Sequence, residues 1–261
     1  MTRLLTTTVL AIVAGLASQA IPAAQSQPTT LHLIVSNGIK TVLERVIPEY
    51  EKSASVHLDI EWGASLVLKR TMEGGKAFDA TIVTPVVIDD LIKQGIVTAA
   101  SRANIAQSEL AAGVRKGGAK GDVGTRDGLK ARLLAAKTVT YSREGAATGT
   151  FNEMLASLGI AEAMKPKIVL QPPGSVPADT VAAGQNELVF APLSEIIAVQ
   201  NVEVVGKFPR DFQVPVVMTG GVSAKAAHAD AAKAFIAYLT GPKVESHLKA
   251  SGMERVPAHS H

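Results

Sequence analysis

The chain has 261 residues, 47% hydrophobic and 19% charged, enough for one large domain or two small ones with real cores. A formal charge of +3 with no dense Lys/Arg run excludes a nucleic-acid or polybasic membrane surface, and 4% aromatic content excludes a base- or sugar-stacking platform. Cysteine is absent, which a domain of this size tolerates even outside the cytoplasm.

The chain opens on MTR and the apolar run LLTTTVLAIVAGLASQA, the pattern of a secretory signal peptide over residues 1–24. Cleavage is expected after Ala20 or Ala24. Three threonines interrupt the run, and it is short for a membrane span, so a cleaved leader is expected rather than an anchor. Loss of Arg3 with the leader leaves 25 basic against 23 acidic residues. The protein is therefore expected to be exported.

Beyond the leader, strand and helix signals alternate. LHLIVS (31–36) reads as a strand. Ile39, Val42, Leu43, Val46, Ile47 and Tyr50 then repeat at steps of three and four, one face of a helix that Pro48 should kink or open. VHLDIEW (strand), SLVLKRTMEGG (helix), FDATIVT (strand) and VVIDDLIKQG (helix closed by Gly95) follow. A second series begins near residue 108. It includes TRDGLKARLLAA with Thr125 as N-cap, the strand KTVTYS, the helix TFNEMLASLG and the strand KIVLQ. The alternation runs on through PADTVAAG, ELVFA, LSEIIAV, VEVVG and the strand VPVVMTG to two closing helices, HADAAKAFIAYLTG and KVESHLKASG. The Gly/Lys-rich stretch 114–124 is expected as an exposed loop. This order predicts an α/β fold, doubly wound, with mostly parallel sheets in two lobes.

In open parallel sheets ligands sit beyond the carboxyl ends of strands. The turns there are SNGIK (36–40), WGASL (62–66), VTPVV (83–87), YSREGAATGT (141–150), PPGSVPAD (172–179) and APLSE (191–195). They offer backbone N–H groups at helix starts beside hydroxyls, a chemistry suited to an anion, though any one alone is an ordinary cap. Ser36 and Thr84 are candidate contacts on this ground, and Arg143 could clamp a carboxylate through paired donors. His32 and His57 lie on neighbouring strands, where they either face each other or, the commoner case, are satisfied core or sheet-surface residues, and two ligands do not make a structural zinc site. Trp62 either walls the cleft or packs in its lobe. No metal or cofactor is expected.

LIVSNGIKTVLERVIPEYEK, EWGASLVLKRTMEGGKAFDATIVTP, TYSREGAATGTFNEMLASLGI and AAKAFIAYLTGPKVESHLKASGME together resemble the periplasmic solute-binding proteins of ABC importers, in their molybdate-binding-like branch. The resemblance implies two lobes joined by crossover strands with the ligand between them. One lobe would be about 27–108 plus 214–261, the other 109–213. It carries anion contacts onto Asn37, Gly38, Ala64, Ser65, Thr148, Gly149, Val176 and the neighbourhood of Pro192. Where the branch has a serine-rich first loop and a tyrosine in the last, this chain has SNGIK and APLSE, which brings small di- and tricarboxylates in beside molybdate. The implied partners are a small anion and an inner-membrane ABC permease, for a monomer that binds no nucleic acid. An enzyme is the alternative: aconitate isomerase is similar to this branch, and Glu144, Glu195 and His32 are the bases such an activity could draw on.

Overall fold

A computed structural model describes residues 28–257; the leader and the His259 and His261 tail lie outside the described residues. Strand β1 (Thr29–Ser36) passes through a tight turn at Asn37–Ile39 into α1 (Lys40–Ala54), followed by β2 (Val56–Gly63), α2 (Ser65–Glu73), β3 (Ala80–Val83) and α3 (Pro85–Lys93). Next come β4 (Ala103–Ser108), β5 (Leu110–Arg115), α4 (Arg126–Ala135), β6 (Val139–Ser142), α5 (Thr148–Ser157) and α6 (Ala161–Met164). The chain continues with β7 (Ile168–Gln171), α7 (Pro177–Ala182), β8 (Leu188–Pro192), α8 (Leu193–Ile197) and β9 (Val202–Lys207). It closes with β10 (Val216–Val222), α9 (Ala229–Thr240) and α10 (Glu245–Ala250). No helix among the described residues is long and apolar enough to cross a membrane.

The strands form two five-stranded sheets with one plan, β2-β1-β3-β10-β4 and β7-β6-β8-β5-β9. In each, the strand in fourth place pairs antiparallel with both neighbours while the others share one direction. The physical reason lies in the crossings. Only Glu109 separates β4 from β5, so a chain leaving the first sheet at a carboxyl end must enter the second at the same end and run backward. The return from β9 to β10 repeats the manoeuvre. The expected parallel character therefore holds for four strands of each sheet, with one reversed strand imposed by each crossing.

Period-two alternation sorts side chains onto the two faces of each sheet. Leu31, Leu33 and Val35 pack with Val42, Leu43 and Val46 of α1, while Ile34 faces Leu68 and Met72 of α2 and Leu91 of α3. In the second sheet Leu188 and Phe190 join Leu129, Leu133 and Phe151, and Val189 and Ala191 join Val181 and Ile196 on the other face. Full burial of each such side chain contributes about 1.5–3 kcal/mol. Helices thus cover both faces, as the alternating sequence predicts.

Two local details bear on the sequence reading. Helix α1 contains Pro48 and runs on to Ala54. His32 and His57 do not face each other: the His32 ring lies 2.9 Å from Asp59 and the His57 ring 3.0 Å from Glu51, each an exposed pair on the sheet flank. Thr125 does cap α4, accepting the Gly128 N–H, and residues 115–122 are exposed as the Gly/Lys-rich stretch predicts.

Candidate functional site

The forward strands of both sheets bring their carboxyl ends to one crevice. Its floor is a cavity of about 110 Å³, on the scale of an engineered 150 Å³ cavity that takes one benzene. From the first sheet and its helices come Ser36, Asn37, Lys40, Ala64, Ser65 and Met218. From the second come Ser142, Gly145, Ala146, Ser175, Val176, Pro177, Glu195 and Ala198. A smaller recess continues it beside Thr148, Phe151 and Pro192, sharing Ser142, Gly145, Ala146, Pro177 and Glu195.

The hydroxyls are held in an informative way. Ser65, 8% exposed, begins α2 and accepts the Thr84 N–H at 3.2 Å. Ser36, 5% exposed, ends β1 and accepts the Gly38 N–H at 3.4 Å. Each oxygen already accepts one backbone N–H, and its O–H proton is left to donate into the cavity. The starts of α1 and α2 add the partial positive charge of helix amino termini. A Cβ at Gly38 would lie 2.5 Å from the Met218 Cε, so the end of that flexible side chain would have to shift, and the Gly38 carbonyl accepts the Ser194 hydroxyl at 3.1 Å.

Lys40 and Glu195 are the ionisable residues of the lining, one from each side. Lys40 also stands 5.7 Å above the Trp62 ring, which is half-buried against the core; the ring serves the cleft by seating this lysine. Glu195 has no hydrogen-bond or ion-pair partner among the described residues, and burial raises its carboxyl to about 7 even though one side keeps access to the crevice.

The structure gathers Ser36, Asn37, Ala64, Ser65 and Val176 around the cavity, with Gly38 directly behind it. Thr148 and Pro192 border the recess, and the Thr148 hydroxyl donates to the Ser142 carbonyl at 2.8 Å. Thr84 acts from behind, through its N–H on Ser65. Gly149 and Arg143 border neither space, and the Arg143 side chain is exposed. A loop position alone does not fix where a long side chain points, and Arg143 is not among the residues that line either space. Lys40, which also lines the cavity, carries no such signal in the sequence, because a charged residue opening an amphipathic helix looks like a solvated one.

Across the mouth, Arg70 of α2 donates to Glu144 at 3.0 Å. At the base, the Gln213 amide accepts the Leu110 N–H at 2.9 Å and donates to the Leu110 and Phe208 carbonyls at 2.8 and 3.1 Å. This one side chain therefore ties both crossings together.

Two α/β sheets of matching order, crossed twice by the chain and meeting at their strand tips over a hydroxyl-lined crevice, define a bilobal ligand-binding protein. Residues 31–254 match the bacterial extracellular solute-binding protein family, and the chain belongs to it. It is 30% identical over 243 residues to an aconitate isomerase from Pseudomonas sp., covering 91% of this chain and 92% of that protein. It is 27% identical over 256 residues to the molybdate-binding protein ModA of Azotobacter vinelandii, covering 94% and 95%. The solved periplasmic molybdate-binding protein of Azotobacter vinelandii superposes with a TM-score of 0.73 at 20% identity, covering 87% of this chain and 99% of that one.

Proposed function

We propose that the protein is an exported receptor that captures a small oxygen-rich anion between its two halves and delivers it to an inner-membrane ABC permease. In this reading residues 1–24 are a cleaved signal peptide, 27–108 with 214–261 form one lobe, 109–213 form the other, and the protein works as a periplasmic monomer. The observation that carries it is the pair of near-buried serine hydroxyls at Ser36 and Ser65, each already engaged by a backbone N–H and left with a proton to donate. Lys40 supplies the matching charge. Capture works by hinge closure: each half holds part of the anion's shell, so ligand favours the state in which both parts meet.

A thermal-shift screen of residues 25–261 against molybdate, tungstate, sulfate and small di- and tricarboxylates tests this. A ligand at a hundredfold over its Kd stabilises the fold by about 2.7 kcal/mol. Absence of any shift across the panel would remove the reading.

Glu195 favours a second reading. An unpaired carboxyl near neutrality inside the cleft is suited to moving a proton, and the aconitate isomerase relative points to a tricarboxylate as its substrate. The reaction would take a proton from one carbon of an allylic carboxylate and return it to another, while the serine hydroxyls and Lys40 stabilise the developing negative charge. Deuterium entering trans-aconitate in heavy water, followed by NMR, is the expected result; an unlabelled substrate after prolonged incubation sinks it.

A further inference from the structure

A receptor for anions that places a carboxyl group against its ligand faces a contradiction, and Glu195 is that group. It borders both the main cavity and the recess, so an anion filling either one meets it. It has no partner among the described residues to neutralise it. Helix α8 packs against β5, β8, β9 and the Asn37–Ile39 turn. On β9, Glu203 is engaged with Lys120 and Lys207 with Glu109. Arg115, at the far end of β5, and Asp179 of α7 border neither space. Across the loop after β6, Glu144 is held by Arg70. Lys40, on the opposite wall, is thus the charge that shares the cavity with Glu195.

We infer that the cleft takes its anion together with one proton: Glu195 is in the neutral acid form in the complex and donates its O–H to a ligand oxygen. This rests on the anion-capture reading. The balance is simple. A carboxylate takes a proton from solvent, an acceptor-only group becomes a donor, and the like charge opposing the ligand disappears. Desolvation by the surrounding protein already carries the group part of the way, raising it to about 7. A nearby anion pushes it further in the same direction. Such a cleft discriminates by protonation: it takes ligands that present an ionised, accepting oxygen to Glu195 and loses them as the surroundings turn alkaline.

The test is isothermal titration of the full mature chain with molybdate, sulfate and trans-aconitate as separate probes, from pH 6 to pH 9. Each pH is measured in two buffers of different ionisation enthalpy, so that protons exchanged are counted. The expected result is close to one proton taken up per anion at pH 8 to 9, with affinity falling about tenfold per pH unit above roughly pH 7. Glu195→Gln, which holds a donor at every pH, is expected to flatten that slope and abolish the uptake. Lys40→Ala is expected to weaken binding by a similar factor at every pH and leave the proton count alone. Tight binding with no proton uptake at pH 8, or unchanged uptake in Glu195→Gln, overturns the inference while anion capture stands. Binding of none of the probes at any pH overturns both. Should Glu195→Gln fail to fold, the wild-type proton count decides alone.

Discussion

The two halves share a strand order, yet they bring opposite chemistry to the space between them. The first contributes Ser36, Ser65 and Lys40, all donors, two of them fixed by backbone contacts. The second contributes small residues from two loops, Ser142, Gly145, Ala146 and Ser175, and the acid Glu195. A shared topology therefore fixes where a ligand sits but not what each wall offers it. The first wall presents hydroxyl donors and a cation, and the second presents small residues and an acid.

The largest expected effect breaks the first wall. Ser36→Ala with Ser65→Ala removes two hydroxyl donors to a charged ligand, each worth about 1.5–3 kcal/mol. Titration calorimetry should find affinity at least a hundredfold lower; wild-type affinity would show that these hydroxyls do not touch the ligand.

Next is the second wall, read through stability. The Glu195 carboxyl stands at about 7 in the fold against an ordinary 4.5. Below pH 4.5 both folded and unfolded chains are protonated there, and nothing is lost. Between these values the unfolded chain gives up the proton and the fold keeps it, so stability falls as pH rises, and the full penalty holds above 7. At about 1.36 kcal/mol per unit, the penalty reaches at most about 3 kcal/mol, lowered by whatever solvent in the cleft screens. Glu195→Gln should therefore unfold at higher denaturant than wild type at pH 8 and at the same denaturant near pH 4. Equal midpoints at both would show that the group is not desolvated.

Smaller effects sharpen the contrast. Lys40→Ala should weaken anion binding by about 1 kcal/mol and reduce its salt dependence. Arg70→Ala removes the exposed bridge to Glu144 across the mouth, a contact worth about 0.2–1 kcal/mol. Small-angle scattering of the ligand-free protein should then find a more open average shape. The smallest is Arg143→Ala, expected to leave affinity within about 0.5 kcal/mol, because this exposed side chain borders neither cavity.

Much of the fold was legible because helix and strand periods are local properties of the chain. Leu31, Leu33 and Val35 announce a strand, and Val42, Leu43 and Val46 a helix face, before any tertiary contact is known. The crossing strands were not legible. ANIAQS and LAAGVR carry small and polar residues whose burial comes from neighbours far away in sequence. In the site, Ser36, Asn37, Ala64, Ser65 and Val176 could be found because strand tips are where such folds bind. Lys40 and the direction of Arg143 could not, since both depend on which way a long side chain leaves the backbone. Glu195 was visible as a base, but its desolvation required the packed helix.

The reversed strand β10 has a consequence for assembly. All strands of the second sheet lie within residues 110–207, an unbroken stretch of chain, whereas the first begins at residue 29 and is joined only by residues 216–222, which separate β3 from β4. A nascent chain that stops short of residue 216 therefore holds every strand of one half and leaves the other split into two unpaired pieces. The last strand made is the one that joins them.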